Sequence, residues 1–350
     1  MKTSPASPDV TVMTDPAPEG RWLVGEWARR GARRVRDLLR PQPAYMKSPF
    51  RGHFAVTRSL VEGLRKIGVG CCYNPRSVAH VGEVVVVLGN LRALRQAIEW
   101  KREGRIRRLL AGPNLVILPS DRMELIAAPE IDLYLVNSPW TLDAYLTDCS
   151  GLRGRCVVWP AGVDTAFWTA APMRPGRRAL VFDKLPPGEK TLLDTVLACM
   201  TRAGYEANIL RHGSFTPREY LSELQRATVL VGLSLSESQG LAWAEAWAAN
   251  VPTLIYARDH HWYGTRRIES SSAPYLSDAT GSFFSSAEKL ELQLNEPDTR
   301  WRRARPRDWV LAHMSDQVCA AKFCELAGIG IRGGHPDEEI PSGGRERSRG

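Results

Sequence analysis

Two glutamates flank the start of a predicted helix in the segment SESQGLAWAEAWAANVP, residues 236–252. Glu237 lies in the loop after an apolar stretch, Gly240 stands where the helix begins, and Glu245 follows within that helix. Free backbone N–H groups at a helix start attract phosphates or sugar hydroxyls, and carboxylates accept hydrogen bonds from hydroxyls. The pattern predicts a phosphate and polyol site, while a helix cap with a buried ion pair accounts for the same residue types.

Two series of alternating strands and helices surround this segment, which is typical of α/β domains with buried parallel strands. The first series covers residues 42–165 and includes a strand that we expect at NLVILPS, residues 114–120. The second begins after the Pro/Arg/Gly-rich linker AAPMRPGRR, residues 170–178, and contains a long loop at 258–279. We therefore expect two Rossmann-like domains facing each other across a cleft.

The composition of the flanking segments completes the predicted domain order. Residues rich in Pro, Ser, Thr, Asp or Gly predict disorder at both ends. The predicted segments are a disordered leader at 1–20, a basic amphipathic helix at 21–41, an N-terminal domain at 42–168, a C-terminal domain at 175–310, a closing helix at 311–330 and a disordered tail at 331–350.

The formal charge of +9 favours anionic partners. The helix at 22–40 places arginines on one side and apolar residues on the other, and two interpretations stay open. It lies on an anionic membrane surface, or it packs on the first domain with its charged face in solvent. Basic runs at 92–108 and 300–307 lack any nucleic-acid-binding signature, so we expect no nucleic acid partner. No apolar run of 18 residues and no secretion signal occur, which predicts a cytoplasmic protein, with peripheral membrane contact as the open alternative.

The segment ESQGLAWAEAWAANVPTLIY resembles the E-x7-E region of retaining GT-B glycosyltransferases of the family 4 type. Glu237, Gly240, Glu245, Ala246 and Pro252 occupy the places of the recurring residues. The resemblance extends over residues 130–327. Within it, GVD at 162–164 is similar to the family's interdomain passage, and RDWVLAHMSDQVCAAKFCEL is similar to its closing helix.

The resemblance implies a role for each of these residues toward a nucleoside-diphosphate sugar. Glu245 would bind the ribose hydroxyls, Glu237 the donor sugar, and the backbone at Gly240 and Leu241 the phosphate–sugar region. A basic pair normally neutralises the diphosphate. Lys184 and Lys190 match it best, although the family more often has Arg first and Lys five residues later, and this chain has a gap of six.

The sequence contains no D-x-D pair that would hold Mg or Mn, so we expect catalysis without a metal and without a cofactor. In the N-terminal domain, Arg51 and Gly52 match the family's first glycine-rich loop, which borders the phosphates. The family's histidine after a middle strand is replaced by Asn114 in GPNLVILPS. His53 and the pair His260–His261 are interpreted as surface residues.

The predicted function is transfer of a sugar, with retention of configuration, from a nucleotide-sugar donor to a hydroxyl of a sugar, a small molecule or a lipid-linked acceptor. The alternative is a non-catalytic GT-B-fold subunit that binds a nucleotide sugar or a partner protein. A nicotinamide dehydrogenase on the same kind of sheet would need G-x-G-x-x-G after a strand, and the chain has none.

Overall fold

The computed structural model describes residues 8–39, 52–171, 176–296 and 300–331. The N-terminal domain contains a parallel sheet in the order β2-β1-β3-β4-β5-β6. Its strands are β1 (Val10–Met13), β2 (Cys71–Tyr73), β3 (Val84–Gly89), β4 (Arg108–Asn114), β5 (Leu133–Val136) and β6 (Cys156–Val158). The helices that precede the end of this domain are α1 (Leu23–Leu39), α2 (Gly52–Lys66), α3 (Leu91–Arg102), α4 (Met123–Ile126) and α5 (Pro139–Asp148).

The C-terminal domain contains a second parallel sheet, in the order β13-β10-β9-β7-β8, and a separate hairpin. The strands are β7 (Arg178–Asp183), β8 (Glu206–Arg211), β9 (Val229–Leu233), β10 (Thr253–Tyr256), the hairpin strands β11 (His260–Tyr263) and β12 (Arg266–Glu269), and β13 (Gly281–Phe284). The remaining helices are α6 (Lys190–Arg202), α7 (Pro217–Arg226), α8 (Leu241–Ala248), α9 (Ala287–Asn295), α10 (Arg300–Arg303), α11 (Pro306–His313) and α12 (Asp316–Ala327).

Each sheet is covered on both faces, which explains why its central strands are continuously apolar. In β3, Val85 and Val87 pack into one core of the N-terminal domain, while Val84 and Val86 pack into the core on the opposite face. The central strand β9 of the second domain alternates in the same way between two cores. Successive side chains of a strand point to opposite faces, so both faces need apolar residues.

The prediction of a disordered leader is wrong for β1, which lies inside the first sheet and pairs with both β2 and β3. Val10 and Val12 are fully buried. Four residues, three of them apolar, form too short a pattern among Pro, Ser and Asp to indicate a strand. Pairing on both sides satisfies their backbone groups and buries them. The predicted start of this domain at residue 42 is therefore corrected to include β1.

Two further expectations about strands are corrected. The strand predicted at 114–120 is β4, which begins at Arg108 and ends at Asn114, because RLLA and not LVIL is the segment that pairs with β3. The predicted long loop at 258–279 contains the hairpin of β11 and β12.

The two domains are connected twice. The segment around Gly162 leads into the C-terminal domain, and α12 returns to pack against α2. A Cβ atom at Gly63 would lie 2.4 Å from the carbonyl oxygen of Asp316, and one at Gly162 would lie 2.6 Å from the Cα of Asp316. Both glycines are needed because the backbones approach so closely. The glycine of the G-V-D stretch is thus required by close packing at the domain junction.

A buried ion-pair cluster lies at the same junction. Arg58 of α2 donates to both carboxylate oxygens of Asp316 at 2.7 and 2.9 Å. Lys66 lies 3.0 Å from Asp316 and 3.2 Å from Asp164. Both Arg58 and Asp316 are buried, so their charges are stabilised by pairing within the protein.

The amphipathic helix α1 contacts the N-terminal domain through a polar residue. Glu26 is 1% exposed and accepts a hydrogen bond of 2.8 Å from Arg92. Val24, Trp27 and Val35 are exposed at 78%, 68% and 54%. The helix therefore presents apolar side chains to solvent, in contrast to the interpretation in which only its charged face is solvated. None of the described helices combines the length and hydrophobicity needed to cross a bilayer.

Candidate functional site

A cavity of about 580 Å³ lies between the two domains; we call it the cleft cavity. The C-terminal domain contributes the ends of β7 and β8 and the start of α8, and the N-terminal domain contributes the start of α2 and the ends of β4 and β5. Ligands of open parallel sheets bind outside the carboxyl ends of the strands. The lining residues are Gly52, His53, Val56, Asn114, Asn137, Phe182, Lys184, His212, Gly213, Phe215, Tyr220, Glu237, Ser238, Gln239, Gly240, Leu241, Ala242 and Glu245.

Lys184 and Glu237 form an ion pair on the wall of this cavity. Lys184 Nζ lies 2.8 and 3.0 Å from the two carboxylate oxygens of Glu237, and Ser234 Oγ donates to Glu237 Oε1 at 2.8 Å. The backbone of Glu237 is fixed from both domains, because its carbonyl accepts from Trp140 Nε1 at 2.9 Å and its N–H donates to Ser271. The pair thus occupies a defined position with one cation and one carboxylate available to a ligand.

The start of α8 gives the cavity a second anion-binding feature. Gly240 is the N-cap with φ of +79°, and no side chain caps the helix. A Cβ at this position would lie 2.4 Å from Cδ1 of Trp243, so glycine is required by both conformation and space. Leu241 and Ala242 line the cavity. Unsatisfied N–H groups and the helix dipole favour negative charge here.

Glu245 lines the cavity one turn further along α8. Burial raises the pKa of its carboxyl to about 8, and the positive charge of Arg58 opposes this shift only in part. A protonated carboxyl both donates and accepts hydrogen bonds, which suits a diol. Burial also raises the pKa of the neighbouring Tyr220 phenol, and the negative charge of Glu245 raises it further.

The two tryptophans of α8 pack in the core, as their spacing suggests. Trp243 and Trp247 are 0% and 1% exposed. Their indole N–H groups donate to the Ser272 carbonyl at 2.9 Å and to Thr253 Oγ1 at 3.0 Å. They hold α8 against the sheet and leave the other face of the helix for the cavity.

The structure brings together most of the predicted site residues, with two exceptions. Glu237, Lys184, Gly240, Leu241, Glu245 and Gly52 all line the cleft cavity. Lys190 does not. It is exposed in the first turn of α6, because the turn at 187–189 carries the chain away after Lys184, which directly follows β7. Arg51 lies outside the described residues.

Four of the lining residues that were not predicted as site residues have polar side chains at strand or helix ends. His53, interpreted from sequence as a surface residue, is exposed but reaches the cavity, and His212 lies at the end of β8. Asn114 and Asn137 stand at the carboxyl ends of β4 and β5. An asparagine also follows β2 and β3 directly, at 74 and 90. An asparagine at each successive strand end was the available signal, but it depends on the strand boundaries.

Among the described residues, no group of three or more His, Cys, Asp or Glu side chains is arranged to hold a metal ion. Whether the reaction needs a metal is not decided by this, so metal independence stays a prediction. The positive charge of the cavity wall comes from Lys184 and the start of α8.

No family model and no curated protein sequence matches the chain. Among solved structures, it is similar to the lipopolysaccharide outer core galactosyltransferase WaaB at 9% identity and a TM-score of 0.50, covering 91% of this chain and 98% of that one. The catalytic domain of starch synthase IV from Arabidopsis thaliana gives 11% identity and a TM-score of 0.48, covering 79% and 76%. TarM gives 12% and 0.49, covering 69% of this chain and only 54% of TarM.

At these identities the similarity bears on the fold alone. The chain has two Rossmann-like α/β domains facing each other across a cleft, the GT-B arrangement, and this expectation is confirmed. Membership of family 4 and the role of the E-x7-E residues stay predictions.

Proposed function

We propose that the protein is a retaining glycosyltransferase that moves a sugar from a nucleoside-diphosphate sugar to an acceptor hydroxyl. The observation that carries the proposal is the cleft cavity, in which Lys184, Glu237, the uncapped start of α8 and Glu245 share one wall. A cation, free N–H groups and two carboxyl groups match the diphosphate and the hydroxyls of such a donor.

The charge that develops on the leaving diphosphate is stabilised by Lys184 and by the N–H groups at the start of α8. Glu237 accepts hydrogen bonds from the donor sugar, and it holds Lys184 in place until the diphosphate competes for the ammonium group. Glu245 binds the ribose hydroxyls. We infer that these fixed charges replace a metal ion, and that the diphosphate itself assists the incoming hydroxyl on the same face of the sugar.

The alternative function is a non-catalytic subunit that binds a nucleotide sugar. The observation that favours it is Asn114, an amide that cannot act as a base at the end of β4, where the resemblance would place a histidine. The two proposals agree on donor binding and differ on turnover.

Thermal unfolding with a panel of UDP, ADP, GDP and their sugar conjugates tests the donor site. A ligand that binds only the folded protein raises the melting temperature with its concentration. We expect at least one nucleotide to stabilise the wild type and to lose most of this effect in Glu245→Ala. An unshifted wild type, or equal shifts in both proteins, contradicts the assignment.

Turnover and metal use are tested with the stabilising nucleotide sugar. Slow hydrolysis or transfer in the presence of EDTA supports the metal-free transferase. Activity that EDTA abolishes and Mg²⁺ restores contradicts metal independence, and binding without any turnover over a broad acceptor panel supports the non-catalytic subunit.

We also propose that α1 contacts an anionic membrane surface. Val24, Trp27 and Val35 are exposed on this helix. The side chains of Arg21, Arg29 and Arg33 in the same segment are 65%, 46% and 50% exposed, and each also pairs with a carboxylate of the protein. Apolar and basic side chains together favour binding to anionic lipid. Wild type should co-sediment with phosphatidylglycerol vesicles but not with phosphatidylcholine vesicles, and the double variant Val24→Ser/Trp27→Ser should not. Equal sedimentation of both proteins would remove this proposal.

A further inference from the structure

A second cavity, of about 330 Å³, adjoins the cleft cavity; we call it the side pocket. Its walls are the loop at 113–118, one face of α5 and the hairpin of β11 and β12. It shares His53, Asn114, Asn137 and Ser238 with the cleft cavity, so the two spaces meet at these residues. A molecule in the side pocket can therefore present one end to a donor in the cleft.

The side pocket differs from the cleft cavity in its chemistry. Most of its wall is apolar, and no Asp, Glu, Lys or Arg occurs among the described residues that line it. The cleft cavity, by contrast, includes Lys184, Glu237 and Glu245. An uncharged apolar wall favours a ligand whose surface is hydrocarbon.

Three polar side chains of the wall, those of Trp140, Thr141 and Tyr145, donate hydrogen bonds within the protein. Tyr145 OH donates to a backbone carbonyl at 2.7 Å, Trp140 Nε1 to another at 2.9 Å, and Thr141 Oγ1 to a third at 2.7 Å. Each of these side chains thus turns its carbon atoms to the pocket with its donor already satisfied. Against these three side chains, the hydroxyls of a sugar would lose hydrogen bonds to water without replacing them.

Asn137 stands where the two cavities meet, and its side chain has a buried polar atom there. Its Nδ2 donates to Ser238 Oγ at 3.3 Å, while its Oδ1 is buried and has no hydrogen-bond partner among the described residues. If the amide is turned over, the unused atom becomes a donor. In either orientation the buried amide can pair with one hydroxyl group.

Because of the hairpin, both domains contribute walls to the side pocket. His261 and Ile268, which are opposite each other in the hairpin, contribute the wall from the C-terminal domain. The hairpin is tied to the N-terminal domain by Arg266, 2.5 Å from Asp148, and by Tyr263, whose hydroxyl donates to Asp121 at 3.0 Å. A ligand here is enclosed only when the domains are in this relative position.

We infer that the side pocket binds the body of the acceptor, a neutral hydroxyl compound with an apolar skeleton, and that Asn137 binds its hydroxyl. This inference rests on the proposed function, because only a transfer reaction has an acceptor. The hydroxyl oxygen forms the new bond to the anomeric carbon, the bond from that carbon to the diphosphate oxygen breaks, and the hydroxyl proton passes to the departing diphosphate.

The probe for this pocket is 2-naphthol, with naphthalene and maltose as comparison compounds, and binding is measured by calorimetry or equilibrium dialysis. Wild type should bind 2-naphthol and not maltose. Ala144→Phe, which places a ring into the pocket from α5, should weaken 2-naphthol binding at least roughly tenfold. The matched variant Thr147→Phe adds the same ring to an exposed position of the same helix and should leave binding unchanged.

Asn137→Ala tests the hydroxyl contact separately. Wild type should prefer 2-naphthol to naphthalene by roughly tenfold, the value of one buried hydrogen bond, and Asn137→Ala should lose this preference. Equal weakening of both compounds means that Asn137 only supports the wall, and this overturns its assignment.

Nucleotide binding by the same proteins keeps the two proposals apart. If wild type binds a nucleoside diphosphate but binds maltose better than 2-naphthol, or if Ala144→Phe binds 2-naphthol as wild type does, the acceptor inference fails and the proposed function stands. If no nucleotide binds while 2-naphthol does so in an Ala144-dependent way, the proposed function fails and the side pocket remains a site for apolar hydroxyl compounds.

Discussion

The two walls of the cleft cavity are assembled from different kinds of sequence. On the C-terminal wall, Glu237, Gly240 and Glu245 come from one strand–helix junction, and Lys184 directly follows the neighbouring strand β7. On the N-terminal wall, His53 and Asn137 come from separate elements more than eighty residues apart. When one strand–helix junction supplies a site, its residues have a fixed spacing that can be recognised in the sequence. When several strand ends supply a site, its residues have no such spacing.

The largest expected effect tests the N-terminal wall through its sheet. Val12→Asp places an unpaired carboxylate in the fully buried strand β1 and should lower the free energy of unfolding by about 4 to 5 kcal/mol. Urea unfolding measures the change. Val24→Asp, the same substitution at an exposed position of α1, should change it by no more than about 0.5 kcal/mol. Comparable losses at the two positions would mean that β1 is not part of the core.

The second effect concerns the junction that holds the walls together. Asp316→Ala leaves Arg58 buried without its carboxylate and should cost about 3 to 4 kcal/mol in urea unfolding. The exposed pair of Glu62 and Arg65 on α2 provides the control, because Glu62→Ala should cost less than about 1 kcal/mol. Equal costs would show that the junction is solvated.

A third effect distinguishes the roles of Lys184 and Lys190, which the sequence assigned to the same basic pair. Under the proposed function, Lys184→Ala should reduce kcat/KM for the nucleotide sugar by about 100-fold, since it removes the cation on the cavity wall. Lys190→Ala should stay within about twofold, as for an exposed side chain outside the cavity. A reversed order would restore the role predicted for Lys190, with melting temperatures confirming that both variants fold.

The smallest expected effect is a dependence on pH. Because the folded pKa of Glu245 is about 8, above its usual value of 4.5, its contribution to stability is fully present below pH 4.5 and is lost as the pH rises through 8. Glu245→Gln should therefore lie closest to wild type near pH 5 and become progressively more stable than wild type as the pH rises to 9. Stability curves that stay parallel over this range would show that the carboxyl is ionised in the folded protein.

The difference between the two walls also explains which parts of the structure could be predicted from the sequence. The two α/β domains follow from long apolar runs and helical periodicity, and the fold was predicted correctly. The burial of Trp243 and Trp247 on one face of α8 also follows from the sequence, because a four-residue spacing is local. β1 was missed because it has four residues, and a pattern that short carries little information about pairing with distant strands.

The site divides in the same way. The glutamates, Lys184 and Lys190 were all placed by motif, but Lys190 lies outside the cavity, since a short turn decides the direction of the chain after β7. The asparagines at the ends of β4 and β5 become neighbours only when the strand order is known. The hairpin of β11 and β12 was missed because its residues, HHWYGTRRIE, alternate too weakly to indicate a strand pair.

The return of α12 to α2 also bears on how the protein is made. The N-terminal domain contains β1, which is translated before the C-terminal domain, and α12, whose residues Ala320 and Phe323 complete one of its cores afterwards. Between them the ribosome produces the whole C-terminal domain, whose two cores require only residues from Val163 to Cys319. Domains fold as units during synthesis. The first domain can therefore complete its sheet of β1 to β6 before the second domain is made, but one of its cores stays open until α12 is translated.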